Sequence, residues 1–546
     1  MSNDNTNNNK RPRREGADLG DSIRNSVASK GRDMVILQLQ TALDQLQDEQ
    51  ETYYSSSECA IDGFKSIPDR GFPANHVKER IIQNHELDNR PRLNTSSYVN
   101  VVTEPEERDV ALMGLEVNLA DASVYPASVE LHDKVVNMIA ELWNCPAPPP
   151  TKTGKTANFS GSGTVGSTEA CLLAGLALKF RWRKWYAQKH GLTPEQVTGV
   201  VPNIVISTCY QAAWEKLFRY FDVIPNFVLP TLQNKMRIDA EQVREKINDK
   251  TIAVVGILGN HYNGAYDPIW DLDKVVSEVN AEKGWQVGIH VDGASGGFIA
   301  PFQENVPPFD FRLTNVLSMS ASGHKFGESV CGTGWLVFRH RHDLAEHISV
   351  SVTYLGGVSD SMTLNFSRPA TGPYVQAYKF LRLGKQGYRS KVQRQLDVTN
   401  RFRNQVRDLK VHGKPLFEIC DCDQEPCLPV FAARLHPDLQ VDYTDFSIQH
   451  AIGEFHWYVG AYYLSFEDFS RGGTLAPLCS DESVQSSMFR VVFKSNLTHS
   501  LSNDLFGRLK EVMEHLQKDQ VMKSVRSVLM EVYGEVKAHS NQHKAC

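Results

Sequence analysis

A basic excess, long apolar runs and dense cysteine are all missing from this sequence, and each absence excludes a class of protein. Lys and Arg total 58 against 64 Asp and Glu, for a formal net charge of −6 over 546 residues. That balance lacks the basic footprint of a dedicated nucleic-acid binder, so no nucleic-acid partner is expected. No apolar run approaches the ~20 residues that cross a bilayer, so no membrane partner is expected either. Ten cysteines are scattered along the chain, far too thinly for a disulfide-stapled secreted domain, and no signal-peptide pattern opens it. The thiols therefore read as reduced and the protein as cytoplasmic. Cys420, Cys422 and Cys427 in CDCDQEPC lack a paired C-x2-C arrangement and a second ligand group, so free thiols and no metal are expected there.

What is present is enough apolar side chain to build a sizeable core: 41% of the residues are hydrophobic. Residues 1–30 contain almost no large apolar side chains and read as a disordered tail; its KRPRR run (Lys10–Arg14) reads as solvated. Residues 31–94 read as an N-terminal helical segment. Within it, Val35, Leu39, Leu43 and Leu46 mark one face of a helix over 34–50 that must bury its stripe on the body or on a second subunit. Over 95–395, short β-branched runs alternate with longer helical stretches. Candidate strands are Asn203–Cys209, Ile252–Leu258, Trp285–Asp292, Val316–Ala321 and Gly334–Phe338; helices fill Thr168–His190, Ala240–Ile247 and Trp270–Glu282. Such alternation signals βα units around a mostly parallel sheet, which binds ligands beyond the carboxyl ends of its strands. Residues 396–546 read as a smaller α+β domain, with a strand at Phe489–Lys494 and a final helix near Asp504–Val532.

Three polar motifs fall in the loops of the α/β region. GSGTVGSTEA (Gly161–Ala170) sets Ser167 and Thr168 at the start of a strong helix, where free N–H groups and the dipole favour phosphate. An ordinary Ser/Thr N-cap has the same appearance. Its G-x-G-x-x-G is not a dinucleotide fingerprint, because a polar stretch precedes it and no acid follows about twenty residues on. HVDGASGGFIAPF (His290–Phe302) ends an apolar strand on Asp292, a carboxylate that needs a cation or donor unless it merely caps the next element. SMSASGHKFG (Ser318–Gly327) places Lys325 beside His324 among small uncharged residues. An amine that binds carbonyls needs a setting that favours its neutral form, though a surface lysine would fit this segment alone. Together, phosphate-type turn, strand-end acid and pocket lysine are the parts that pyridoxal phosphate needs.

These segments, with YLGG (Tyr354–Gly357) and NFSRPATG (Asn365–Gly372), resemble the group II pyridoxal-phosphate-dependent amino-acid decarboxylases, closest to the glutamate decarboxylases of bacterial, plant and fungal type. The resemblance runs from about Asn89 to Asn496. It implies the type I (aspartate-aminotransferase-like) α/β fold, with a mostly parallel sheet in a large domain and a small α+β C-terminal domain. It also implies a homo-oligomer, at least a dimer, whose active site is shared between subunits. Lys325 would form the Schiff base with the cofactor, and Asp292 would pair with its ring nitrogen. Ser167, Thr168, Ser322 and His324 would hold the phosphate, joined by Ser367 of a neighbouring subunit. Gln211, in YQAAWEKLFRYFDV, and Ala294 would lie on the two ring faces; aromatic-amino-acid decarboxylases place a His where Gln211 stands. Arg490 would bind the substrate α-carboxylate, although a strand-edge salt bridge is the plain alternative. Ser97, Tyr98, Asn118 and Asp121 align with the pocket for the distal carboxylate.

The implied reaction is the α-decarboxylation of glutamate to 4-aminobutanoate and carbon dioxide. The rivals are aspartate or cysteine-sulfinate decarboxylation, a phospholipid-base aldolase, and a non-catalytic scaffold of the same fold. Two departures from the family pattern bear on substrate choice: Ser97-Tyr98 where Thr-Phe is common, and His261 near the usual place of a Thr. The tail from Ser524 to Cys546 has mixed charge, which does not support calmodulin as a partner, and His539 and His543 are too little for a pH gate.

Overall fold

The computed structural model describes residues 34–43, 66–150, 157–344, 350–354, 357–411, 413–439 and 441–518. The expectations for the tail 1–30, for the KRPRR run and for the C-terminal 519–546 lie outside these residues, as do residues 355 and 356 of YLGG. The chain divides after Asn89 into two units. The first holds a helix over 34–43, whose Val35, Leu39 and Leu43 are exposed, and a helix Ala74–His85.

The second unit is built on a seven-stranded sheet. Its strands are β1 (Gly161–Val165), β2 (Asn203–Ser207), β3 (Ile224–Val228), β4 (Thr251–Ile257), β5 (Gly288–Asp292), β6 (Val316–Ser322) and β7 (Thr333–Phe338). Their spatial order is β1-β7-β6-β5-β4-β2-β3, and every neighbouring pair is parallel except the two that β7 makes. The α/β class with a mostly parallel sheet is therefore as the sequence predicts. Alternate residues explain its continuous apolar strands. Val205 and Val254 pack into one core cluster while Ile204, Ile206, Ala253 and Val255 pack into another, so both faces are covered. Sequence reading misses β1 and β3. GSGTV has no alternation of large side chains, and it becomes a strand through its register with Gly334–Val337 of β7.

Flanking helices include α1 (Pro105–Leu115), α2 (Pro126–Leu142), α3 (Gly166–His190), α4 (Ala212–Tyr220) and α5 (Thr371–Arg407). Helix α5 crosses residue 395 and is broken at Gly384, whose φ is 57°. Beyond it lies an antiparallel sheet of β8 (Phe417–Ile419), β9 (Val430–Leu435), β10 (Gly460–Tyr463) and β11 (Ser487–Val492), in the order β8-β9-β11-β10. A third core cluster joins this sheet to α6 (His499–Lys518) through residues such as Phe431, Phe489 and Leu505. Among the described residues no helix is long and apolar enough to cross a membrane.

Candidate active site

The carboxyl ends of the parallel strands meet at one edge of the large sheet. Strand β7 runs the opposite way, so its first residues lie at that same edge. In register, Ser322 at the end of β6 faces Gly334 of β7, which faces Thr164 of β1. A Cβ at Gly334 would meet the Gly166 carbonyl at 2.2 Å, so only glycine lets the start of α3 pass over β7. Gly166 itself turns at φ 67°, which glycine adopts without the Cβ penalty. That turn brings Ser167 to Ser322, whose hydroxyl donates to Ser167 Oγ at 2.8 Å. No side chain caps α3, so the plain N-cap reading of Ser167 and Thr168 does not hold.

Next to this pair, the His324 ring lies 3.9 Å from where a Gly166 Cβ would stand. Its Nδ1 is 2.8 Å from the Thr333 carbonyl. A carbonyl only accepts, so Nδ1 carries the proton. Burial, and secondarily the charge of Lys325, pushes the His324 imidazole down to about 4, leaving the ring neutral at pH 7. Lys325 is 6% exposed, which removes the surface-lysine reading, and its Nζ donates to Ser295 Oγ at 3.4 Å.

Asp292 ends β5, is buried, and is held on both oxygens. Trp214 Nε1 donates to Oδ2 at 2.8 Å and the Ala294 amide to Oδ1 at 3.0 Å. Trp214 stands in the first turn of α4, and Gln211 is the residue that precedes that helix. Both polar atoms of the Gln211 side chain are buried without a hydrogen-bond partner among the described residues. An amide left so is costly, and a bound group in this basin is what would satisfy it. Glu169 is a further residue that sequence reasoning misses. Its buried carboxylate accepts from the Val165, Leu364 and Asn365 amides, tying the NFSRPA loop to the start of α3.

A second buried cation faces Lys325 across one aromatic ring. Residues 94–100 run from the small sheet to the lysine loop: the Thr95 amide donates to Tyr458 O and the Asn100 amide to His324 O, each at 2.8 Å. This course sets Tyr98 between the two, with Lys325 Nζ 5.3 Å and Arg490 Cζ 4.7 Å from its ring centroid. Arg490, on β11, is fully buried. It donates to the carbonyls of His261 and Ser96 and to the Tyr98 hydroxyl, and the Tyr462 ring lies 5.0 Å away. Among the described residues it has no carboxylate partner, and its Nε–H has no acceptor; the strand-edge salt bridge is absent. Burial, partly offset by Arg490, raises the Tyr98 phenol to about 12, so it stays a donor and bonds His261 O at 3.1 Å. Ser97 sits beside it, its Oγ accepting from the Val99 amide.

Asn118, Asp121 and Ser367 form a separate group. Asn118 donates to Ser367 Oγ at 3.3 Å and accepts from the Arg368 amide, and Asp121 Oδ1 is buried without a hydrogen-bond partner among the described residues. Among the described residues no hydrogen bond joins them to Tyr98, Arg490 or Lys325. Leu112, Met113 and Leu115 of α1, together with Val124, Leu364 and Phe366 nearby in sequence to this group, are all exposed.

Residues 112–434 match the model of the pyridoxal-dependent decarboxylase conserved domain. The chain belongs to the pyridoxal-dependent decarboxylases. It is 37% identical to glutamate decarboxylase beta of Listeria monocytogenes over 71% of this chain and 79% of that one. It is 34% identical to glutamate decarboxylase of Lactococcus lactis over 82% of this chain and 88% of that one. The solved glutamate decarboxylase of Lactobacillus brevis superposes with a TM-score of 0.73 at 32% identity, covering 84% of this chain and 96% of that one. The decarboxylase has the type I pyridoxal-phosphate fold, and its cofactor is pyridoxal phosphate. The orphaned Gln211 amide, the paired Ser167 and Ser322 hydroxyls and the buried Lys325 and Asp292 fit that group. Among the described residues no group of three or more His, Cys, Asp or Glu side chains is disposed to hold a metal.

Proposed function

We propose that this decarboxylase releases the α-carboxyl group of L-glutamate as carbon dioxide and leaves 4-aminobutanoate. The observation that carries the reading is Arg490: a fully buried guanidinium with a spare N–H and no counter-ion among the described residues, one tyrosine ring away from Lys325. Burying such a charge is expensive unless an anion meets it, and a planar fork suits a carboxylate. The glutamate decarboxylase relatives supply the choice among acids.

In this reading Lys325 is the covalent anchor of pyridoxal phosphate, and Asp292 is the partner of its ring nitrogen. Ser167, Thr168, Ser322 and His324 hold the phosphate, and Gln211 and Ala294 cover the two ring faces. When bound, the cofactor supplies an aldehyde for the amine and a cationic ring that accepts the electron pair of the breaking bond. The chain's own work is positioning and exclusion of water. Arg490, pinned by its three acceptors, holds one carboxylate in a fixed direction, which lowers the entropic part of the barrier. Trp214 and the Ala294 amide hold the Asp292 carboxylate in one orientation. Lys325 receives and returns protons at Nζ, and each turnover takes up one proton from solvent.

The exposed apolar group on α1 and beside Ser367 is the surface on which a second copy would sit. There Asn118, Asp121 and the exposed Ser367 complete the neighbouring site, with Ser97 and Tyr98 contributing from its own chain. The cytoplasmic reading rests on the eight cysteines of the described residues that form no disulfide. Product analysis on the cofactor-loaded protein with glutamate, aspartate and cysteine sulfinate tests the proposal. Carbon dioxide and 4-aminobutanoate from glutamate, with one proton consumed per turnover, are expected. Carbon dioxide from aspartate alone overturns the substrate assignment.

A further inference from the structure

Outside the active site, one cleft combines unpaired positive charge with apolar walls. It has a volume of about 480 Å³ and lies between α3, the start of β3 and the turn Phe469–Arg471 of the C-terminal region. Lys179 and Arg183, four residues apart on α3, share one face of that helix and line the cleft. Val201, Phe218, Ile224 and Phe469 supply its walls, and Val201 and Ile224 are exposed at 45% and 51%. The lining holds a single acid, Asp222, against the two cations.

The cations differ in how they are held. Lys179 is 5% exposed and donates to the carbonyls of Phe221 and Asp222, at the carboxyl end of α4, where a cation is favoured. Burial, then the charge of Arg183, lowers the Lys179 ammonium's pKa. Arg183 has no ion pair and no hydrogen bond among the described residues; its Nε is buried without an acceptor, and the Phe180 ring lies 5.7 Å from its guanidinium. Asp222, the acid of the lining, is exposed and its charge acts on Lys179, while Glu215 pairs with Arg219 and Asp468 accepts from Ser470 and pairs with Arg471. A guanidinium with no anion of its own beside apolar walls matches a carboxylate that carries an apolar body, because its planar fork of N–H groups can grip two oxygens.

We propose that this cleft is an effector site for a small carboxylate with an apolar body, anchored by Arg183 and assisted by Lys179. The site reaches the catalytic centre through α4. At one end of that nine-residue helix Lys179 bonds the Phe221 and Asp222 carbonyls; at the other stand Gln211 and Trp214, the donor to Asp292. An anion that draws Lys179 away from those carbonyls changes how α4 is held, and the change is read at Asp292.

Calorimetric titration of the cofactor-loaded protein tests this with benzoate as probe and inorganic phosphate as a second arm. Saturable benzoate binding is expected, at least tenfold weaker in Arg183→Gln and in Val201→Glu, with basal turnover unchanged in both variants. Val201 is exposed at the mouth, so that variant keeps the fold. Binding equal in wild type and Arg183→Gln, or no saturable binding, overturns the site. Phosphate binding as tightly as benzoate overturns the ligand class. Benzoate binding that leaves kcat unchanged overturns the coupling through α4.

Discussion

Replacing Trp214 by Phe isolates a contact on which the electrostatics of the site depend. The substitution keeps an aromatic ring against His290, 5.3 Å away between centroids, and removes the indole N–H that holds Asp292 Oδ2 at 2.8 Å. Both residues are buried, so water does not readily replace the donor. A hydrogen bond to a charged group is worth about 1.5–3 kcal/mol, and leaving the carboxylate oxygen unpaired costs a similar amount. At about 1.4 kcal/mol per tenfold, kcat falls about ten- to hundredfold. Loss of the larger ring costs about 1–2 kcal/mol of stability, which a thermal melt reads separately. The assay is 4-aminobutanoate formation across pH, alongside cofactor titration of the stripped protein. A variant with wild-type kcat refutes the reasoning, whatever happens to its melting temperature.

Three further outcomes are expected. Lys325→Ala and Ser367→Asp each abolish turnover, and co-expression of the two restores about a quarter of wild-type activity through hybrid dimers with one intact site; no restoration places Ser367 in its own chain's site. Burial pushes His290 to about 3 and His324 to about 4, below the ordinary 6.5. Their neutral forms thus stabilise the fold fully above about pH 6.5, and that contribution is lost as pH falls, at about 1.4 kcal/mol per pH unit each. Thermal melts from pH 7.5 to 4.5 should show the decline and a shallower slope in His290→Gln; a flat profile contradicts it. Lys494 is buried, its Nζ has no hydrogen-bond partner among the described residues, and burial lowers its pKa from 10.5 to about 8. The penalty is therefore present below about pH 8 and fades as pH rises toward 10.5. Lys494→Met is expected to stabilise by about 1–3 kcal/mol at neutral pH, measured by denaturant titration, and a destabilised variant would show that the amine has a role of its own.

Much of the site is legible along the chain because strand-end chemistry is local. Asp292, Ser322 and Lys325 each follow an apolar strand and sit among small residues, and Ser167 opens a strong helix, so type and position announce them. Trp214, Ser295, Tyr462 and Glu169 carry no such signal. A tryptophan in an amphipathic helix reads as core, and only the placement of α4 beside β5 turns its N–H toward Asp292. Glu169 looks like a first-turn acid, yet its partners include amides nearly two hundred residues away. The small strand β1 is hidden for the same reason, since its partner β7 rather than its own side chains makes it a strand.

By itself the sequence determined the alternation of strands and helices, the mostly parallel sheet and the identity of the strand-end groups, since these follow from side-chain period and from polar residues placed where strands stop. The tertiary structure alone decided which distant segments meet. It drew residues 94–100 across to set Tyr98 between Lys325 and Arg490, left Asn118 and Ser367 together away from them, and opened the cleft at Arg183. Contacts between residues hundreds of positions apart are set by packing of whole layers, and no local pattern encodes them.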